Sequence, residues 1–173
     1  MTLAKQEALT VQPGSISDAR EINGIYNWYV THSTITFDIE PWTTEKREQW
    51  IADLIQPDNP YHLFVARQDD ALVGFSYNAA FRPKAAYNTA TEVTIYTEQQ
   101  GAPKGTGTRL YQTLFSAMAK TDLHRAYAGI SQPNMVSVGL HKKFGFYHIG
   151  TLNEVGTKFG DRIDVAWYEK KLD

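Results

Sequence analysis

The chain has 173 residues, a formal net charge of −2 at pH 7 and no cysteine. Its length predicts one domain over residues 1–173, and its dispersed charges of both signs argue against nucleic-acid binding. The lack of cysteine excludes disulfides, thiolate metal ligands and a cysteine nucleophile. Because no apolar run is long enough to span a membrane and residues 1–10 lack a signal-peptide core, we expect a cytoplasmic protein without membrane contacts.

The first 60 residues predict one short strand and two helices. Ser17 or Asp18 can cap the first helix, whose apolar residues recur at helical spacing. These residues are Ile22, Ile25, Tyr26 and Tyr29. The expected elements in chain order are a loose N-terminus over 1–8, a strand over 9–12, the first helix, an irregular stretch over 31–37 and a helix from 43 or 44 to 56.

The remaining residues predict six strands and two further helices. Asp69 and Asp70 separate two strand-like runs and therefore predict a hairpin. The expected strands are 61–67, 71–78, 86–97, 123–131, 146–155 and 162–171, with one helix after the third strand and another over 134–144. A meander followed by a strand–helix–strand unit predicts an α/β (α+β) fold with a mixed, mostly antiparallel sheet flanked by helices.

The stretch from 92 to 119 is the most informative part of the chain. Residues 93–97 alternate β-branched and aromatic side chains, as in a strand, and the apolar residues of the next helix are Leu110, Leu114, Phe115 and Met118. Between them, a loop with Gly105 and Gly107 can present backbone N–H groups at the positive end of a helix, an arrangement that binds phosphate.

An ordinary glycine turn is the simplest interpretation of this loop by itself. The P-loop motif requires a lysine directly after its second glycine, and none follows Gly105 or Gly107. The dinucleotide fingerprint requires a third glycine where Leu110 stands. Neither of these nucleotide-binding motifs fits the sequence.

The pattern Glu92-x-x-Ile95-Tyr96-Thr97 followed by Gly105-x-Gly107 resembles the acetyl-CoA motif of the GNAT superfamily of N-acetyltransferases. Within it, the chain is similar to the phosphinothricin and methionine sulfone/sulfoximine acetyltransferases. The matching segments are Ser33-Thr34-x-x-Phe37-x-x-Glu40-Pro41, Ala86-Tyr87, Gln132-Pro133-Asn134, Leu140-His141-x-x-x-Gly145-Phe146 and Asp164-Val165. The resemblance implies the GNAT fold, in which the sheet is splayed between two central parallel strands at the acetyl-CoA site.

The resemblance also implies which residues hold acetyl-CoA. They are Ile95, Tyr96, Thr97, Pro103, Lys104, Gly105, Thr106, Gly107, Thr108 and Asn134. By its position, Asn134 can also cap a helix. A backbone N–H near Ile95, where the family's strand bulges, would stabilise the developing oxyanion. Ala102 stands where the superfamily usually has Arg or Gln, which removes one phosphate donor, and no metal is implied.

Acetyl transfer to an amine requires a group that accepts the ammonium proton. By spacing alone Glu92 is a surface glutamate at a strand end, but the family's proposed general base falls on this position. His141 matches a histidine near the acetyl group, where many members of the wider superfamily carry a tyrosine proposed as general acid. Without cysteine there is no thiol acyl-enzyme, so we expect direct transfer in a ternary complex with Glu92 and His141 as catalytic residues.

Arg82 and Lys84 lie between two predicted strands, where charged residues are usually solvated. The resemblance instead assigns them to the anionic group of an amino-acid substrate. The substrate-binding residues it implies are Phe37, Tyr77, Arg82, Lys84, Tyr87 and Val165. Arg162 replaces a tryptophan that is typical of relatives, and we expect it to add a third cation near the substrate.

Together these residues predict an acetyl-CoA-dependent N-acetyltransferase that acts on a small amino acid or analogue of the phosphinothricin or methionine sulfone/sulfoximine type. Two alternatives remain: an acetyltransferase for another amine, such as a polyamine, an aminoglycoside or a protein N-terminus, and a non-catalytic acyl-CoA-binding sensor. Family analogy further predicts a homodimer.

Overall fold

The computed structural model describes residues 9–172, so the expected loose N-terminus over 1–8 lies outside the described residues. Seven strands and four helices follow one another in the chain. They are β1 (Thr10–Pro13), α1 (Ala19–His32), α2 (Thr44–Leu54), β2 (Leu63–Gln68), β3 (Ala71–Ala80), β4 (Ala90–Thr97), α3 (Thr106–Met118), β5 (Arg125–Ser131), α4 (Met135–Lys143), β6 (Tyr147–Lys158) and β7 (Asp161–Lys171). Within this described part, no helix is long and apolar enough to cross a membrane.

The strands form one sheet in the order β1-β2-β3-β4-β5-β7-β6. Every neighbouring pair is antiparallel except β4 and β5, which are parallel. The predicted mixed, mostly antiparallel α/β sheet is therefore confirmed. The Asp69-Asp70 hairpin is also confirmed, because β2 and β3 pair antiparallel up to Gln68↔Ala71.

Two large hydrophobic cores lie on opposite faces of this sheet, beside a smaller third cluster. On β3, Phe75 packs in the core that α1 and α2 form with β2. A Cβ on the adjacent Gly74 would instead contact Leu110 and Thr106 of α3. Since successive strand residues point to opposite faces, α1 and α2 cover one face and α3 the other. The second core joins α3 and α4 to β4, β5 and β7.

The sheet opens between its two parallel strands. β4 and β5 pair over three positions, of which Glu92↔Tyr127 is the last. Beyond it β4 stays paired with β3 to Thr97, and β5 stays paired with β7 to Ser131. The expected splay is thus present. The predicted bulge near Ile95 is wrong for the pairing of β4 with β3, because that pairing runs through Ile95 without a register shift.

Two predicted strand boundaries are also wrong. The strand expected over 86–97 begins at Ala90, because Ala85–Tyr87 forms a 3-10 turn closed by the Tyr87 N to Lys84 O hydrogen bond of 2.9 Å. The strand expected to end at Val155 continues as β6 to Lys158. Its pairing with β7 shifts between Leu152 and Gly156, so that β6 carries extra residues there and then resumes pairing.

Candidate active site

Two adjoining cavities occupy the opening between β4 and β5. The first, here the sheet cavity, measures about 450 Å³ and is lined by Glu92 to Tyr96, residues 128–131 of β5 and side chains from α3, α4 and the α1–α2 loop. The second, here the loop cavity, measures about 520 Å³ and lies against residues 105–108 at the start of α3. The residues that line both are Ile35, Ile95, Tyr96, Asn134 and Ser137.

The start of α3 leaves several backbone donors free toward the loop cavity. Gly105 has a φ of 95°, a left-handed conformation that favours glycine. Thr106 N donates to Pro103 O (3.1 Å) and Arg109 N donates to Gly105 O (3.0 Å). Among residues 9–172, no acceptor takes the N–H groups of Gly105, Gly107 and Thr108. Three N–H groups at the positive end of a 13-residue helix form a site for an anion.

Nearly all of the predicted cofactor residues meet in this place. Those that line the loop cavity are Ile95, Tyr96, Thr97, Pro103, Gly105, Thr106, Gly107, Thr108 and Asn134. Lys104 is exposed and does not line it, since the turn directs its side chain to solvent. Asn134 caps α4 by accepting from Ser137 N (3.1 Å), which leaves its Nδ2 group for a ligand.

The backbone of β4 also faces the opening. The carbonyl of Thr89 accepts a hydrogen bond from the first residue of β5 (3.3 Å), and Glu98 N donates to β3 (2.9 Å). Because the backbone groups of successive strand residues point in alternating directions, those of Val93, Ile95 and Thr97 point toward β5. Beyond the end of pairing, these groups border the cavities. An N–H of the Ile95 region is therefore accessible without a bulge in β4.

Glu92 places a carboxylate in the sheet cavity at the point where the strands separate. The side chain is half-buried, and no described residue hydrogen-bonds to it or pairs with it within 4 Å. Burial raises the pKa of Glu92 above its ordinary value, and the positive charge of Arg82 partly opposes this shift. An unpartnered carboxylate of raised pKa suits proton transfer near neutral pH.

His141 is buried at the opposite wall of the sheet cavity. Its Nδ1 lies 2.8 Å from Ser137 O, and since a carbonyl can only accept, Nδ1 carries the proton. Its Nε2 then accepts from the hydroxyl of Tyr111 at 2.8 Å. Burial lowers the pKa of His141, which keeps the ring neutral. Both nitrogens are thus engaged, so His141 orients Tyr111, a cavity residue that the sequence analysis did not single out.

Tyr111 and Tyr29 are the main cavity residues that sequence reasoning missed. Tyr111 lies on the buried side of α3, next to Leu110 and three residues before Leu114, a spacing that suggests core packing rather than a site. Tyr29 reaches from α1 to donate to Thr97 O at 2.8 Å. In both cases the helical pattern identifies a buried residue, and the cavity beside it comes from the tertiary structure.

The predicted substrate residues separate into two groups. Phe37, Tyr77 and Val165 line the sheet cavity. Arg82, Lys84 and Tyr87 do not: they lie on the exposed loop after β3, which turns through a 3-10 segment instead of continuing as a strand. The guanidinium of Arg82 rests 4.6 Å from the Phe81 ring and 5.9 Å from the ring of Trp167, which does line the cavity. Arg82 therefore stands at the rim.

The expectation that Arg162 adds a cation to the site is wrong. Its side chain is 70% exposed and pairs with Glu154 at 3.3 Å, on the β6–β7 hairpin. Among the described residues that line the sheet cavity, none is a lysine or an arginine. Of the predicted substrate-binding cations, Arg82 is the one whose charge acts on the Glu92 carboxyl, where it partly opposes the rise in pKa.

The α1–α2 loop contributes Phe37 to the wall of the sheet cavity. The Tyr26 hydroxyl bonds to Thr36 Oγ1 (2.9 Å) and to Asp38 Oδ2 (2.5 Å) in this loop. Buried Lys158 of β6 donates to the carbonyl of Thr36 at 2.8 Å. A Cβ on Gly156 would lie only 2.3 Å from the Phe37 ring, so the ring packs directly on the backbone of β6.

Comparison with known proteins gives consistent matches. The chain is similar to the phosphinothricin N-acetyltransferase of Streptomyces coelicolor, with 47% identity over 165 residues, covering 94% of this chain and 95% of that protein. It is 26% identical over 164 residues to the L-methionine sulfoximine/L-methionine sulfone acetyltransferase of Pseudomonas aeruginosa, covering 95% of each.

A solved structure has a closely similar fold. The phosphinothricin acetyltransferase of Sinorhizobium meliloti, solved in complex with acetyl-CoA, superimposes with a TM-score of 0.89 and 26% identity, covering 95% of this chain and 88% of that one. The family model described as acetyltransferase (GNAT) domain matches residues 15–167. The fold, the splayed sheet and this match agree: the chain belongs to the GNAT acetyltransferase family.

Proposed function

We propose that this protein transfers acetyl from acetyl-CoA to the amino group of a small amino acid or analogue of the phosphinothricin or methionine sulfone/sulfoximine type. The names of the two relatives support this substrate class. The observation that carries the proposal is the unpartnered Glu92 carboxylate in a cavity that adjoins three free N–H groups at the start of α3. We place this activity in the cytoplasm, as the sequence predicts.

The residues around the loop cavity fit acetyl-CoA. The free N–H groups of Gly105, Gly107 and Thr108 match a pyrophosphate, and Asn134 Nδ2 with the exposed backbone edge of β4 matches an amide-bearing arm. When bound, the cofactor supplies an acetyl thioester. The N–H of Ile95 would stabilise negative charge on the carbonyl oxygen, because it has lost its β5 neighbour.

Glu92 would accept the proton of the substrate ammonium and release a neutral amine for attack. A carboxylate whose pKa is raised by burial holds a proton more readily at neutral pH than an ordinary glutamate. His141 and Tyr111 would hold the opposite wall of the cavity, since the Tyr111 hydroxyl donates to His141 Nε2 and His141 Nδ1 donates to Ser137 O. Arg82 at the rim would attract the substrate's carboxylate, with the ammonium group directed to Glu92.

Assays with a panel of amines test the proposed substrate class. We expect phosphinothricin and methionine sulfone to be acetylated with higher kcat/KM than spermidine or an aminoglycoside, because Arg82 repels polycations. The Arg82→Ala variant should raise KM for the amino acid about tenfold and leave KM for acetyl-CoA unchanged. Arg20→Ala, which removes the same charge from an exposed position on α1, is the control. Faster acetylation of spermidine would reject the amino-acid proposal.

The Glu92→Gln variant tests the proton acceptor. At neutral pH we expect kcat to fall about 100-fold or more while KM for acetyl-CoA stays the same. The deficit should narrow as pH rises toward the pKa of the substrate's ammonium group, because more of the bound amine is then already neutral. The control is Glu48→Gln, which makes the same substitution at an exposed glutamate outside both cavities and should behave as wild type. A near-normal kcat for Glu92→Gln at every pH tested would show that Glu92 is not the proton acceptor.

The Gly156→Ala variant tests the role of Phe37. The added methyl group must displace the aromatic ring, so we expect KM for the amine to rise about tenfold at unchanged KM for acetyl-CoA. Gly150→Ala in the same strand is a matched control, since its Cβ would have no neighbour within 4 Å. Equal KM values for the amine in the two variants would show that Phe37 does not contact the substrate.

We also propose that the protein forms a homodimer through β6. This strand is one of the two outer strands of the sheet, and it exposes Tyr147 and Ile149 together with Leu152 and Val155, which also line the sheet cavity. A long apolar edge strand favours pairing with another chain. We expect a dimer in sedimentation equilibrium, and an Ile149→Lys variant that shifts toward monomer. A wild-type monomer at micromolar concentration would contradict this assembly.

A further inference from the structure

The C-terminal end of α4 lies beside the three free N–H groups at the start of α3. Lys143, the last residue of α4, donates a hydrogen bond from Nζ to Thr108 Oγ1 at 3.1 Å. Thr108 lines the loop cavity, and its own backbone N–H is one of the free donors. The ammonium group is therefore held next to the place where an anion would sit.

The charge of Lys143 is not neutralised in the described part of the chain. None of the ion pairs among residues 9–172 includes it, and its side chain is exposed. Glu98 is a carboxylate among the residues that line the loop cavity, and its Oε2 accepts from Gln100 N at 3.0 Å. Lys143 thus remains a cation that is available to a ligand.

The loop before α3 contributes no positive charge to this cavity. Ala102 and Pro103 line it with apolar side chains, and Lys104 is exposed and does not line it. Backbone N–H groups bind a phosphate by partial charges alone, and a nearby ammonium group strengthens the interaction. Lys143 does not line the cavity either, but its hydrogen bond to Thr108 Oγ1 holds an ammonium group from α4 against a residue that does line it.

We propose that Lys143 is a phosphate-binding residue of the acetyl-CoA site. This inference rests on the proposed function, because it assigns the anion at the start of α3 to the cofactor. The hydrogen bond to Thr108 places the ammonium group before the ligand arrives, so little side-chain entropy is lost on binding. The same chemistry fits either the pyrophosphate or the 3′-phosphate of coenzyme A, and the test distinguishes them.

The test compares Lys143→Met, Lys143→Arg and Lys142→Met. Methionine keeps a long stem and removes the charge, arginine retains the charge, and Lys142 is an exposed lysine on the same helix end. Calorimetry of coenzyme A binding should show a Kd about tenfold higher for Lys143→Met, with most of the affinity kept in Lys143→Arg and no change in Lys142→Met. KM for acetyl-CoA should follow Kd, while KM for the amine stays constant.

Coenzyme A lacking its 3′-phosphate identifies the group that Lys143 meets. If the tenfold penalty persists with this analogue, Lys143 binds the pyrophosphate; if the penalty disappears, it binds the 3′-phosphate, and either result supports the proposal. An unchanged Kd for Lys143→Met overturns it, as does a lower Tm without any change in Kd, since the lysine then only joins α4 to α3. Coenzyme A binding without acetylation of any amine would reject the proposed function and leave this measurement intact.

Discussion

The end of pairing between β4 and β5 at Glu92↔Tyr127 is the constraint on which the site depends. A sheet normally satisfies its backbone N–H and C=O groups from strand to strand, and buried groups without partners are costly. Here β4 stays registered with β3 and β5 with β7, so each half of the sheet remains ordered beside the opening. The strands can therefore present backbone donors and acceptors to a ligand without fraying.

The opening also joins the two faces of the sheet. The side chains of Glu92 and Tyr96 share the face covered by α1 and α2, whereas Val93 packs in the core of α3 and α4. An amine held near Glu92 and a cofactor held at the start of α3 would approach from different directions and meet where the strands separate. This arrangement suits direct transfer between two bound molecules, because each has its own wall of the cavity.

Buried polar contacts hold those walls in place. The imidazole of His141 and the phenol of Tyr111 satisfy each other, and Lys158 satisfies the carbonyl of Thr36 in the loop that carries Phe37. In a region of low dielectric such contacts are strong, and an unpaired partner would be penalised. The walls are thereby fixed before any ligand binds, while Glu92 is left without a partner for chemistry.

Local physical preferences explain what the sequence by itself determined. Hydrophobic periodicity together with turn and cap residues located all seven strands and four helices, the two glycines at 105 and 107 marked the loop before α3, and Asn134 was identified as a helix cap. Each of these features depends on residues that are only a few positions apart. The resemblance to the acetyltransferases added Glu92, a position whose importance no spacing rule indicates.

Only the tertiary structure decided the arrangement of the groups around the cavities. Tyr111 and His141 are 30 positions apart, Thr36 and Lys158 are 122 apart, and Thr108 and Lys143 are 35 apart. It also placed Arg82 at the rim, and it left Lys84 and Tyr87 on an exposed turn, where Tyr87 had been predicted as part of a strand. Such contacts depend on how strands pair and helices pack across the whole sheet. A local sequence pattern therefore cannot identify the distant residue with which a side chain will form its hydrogen bond.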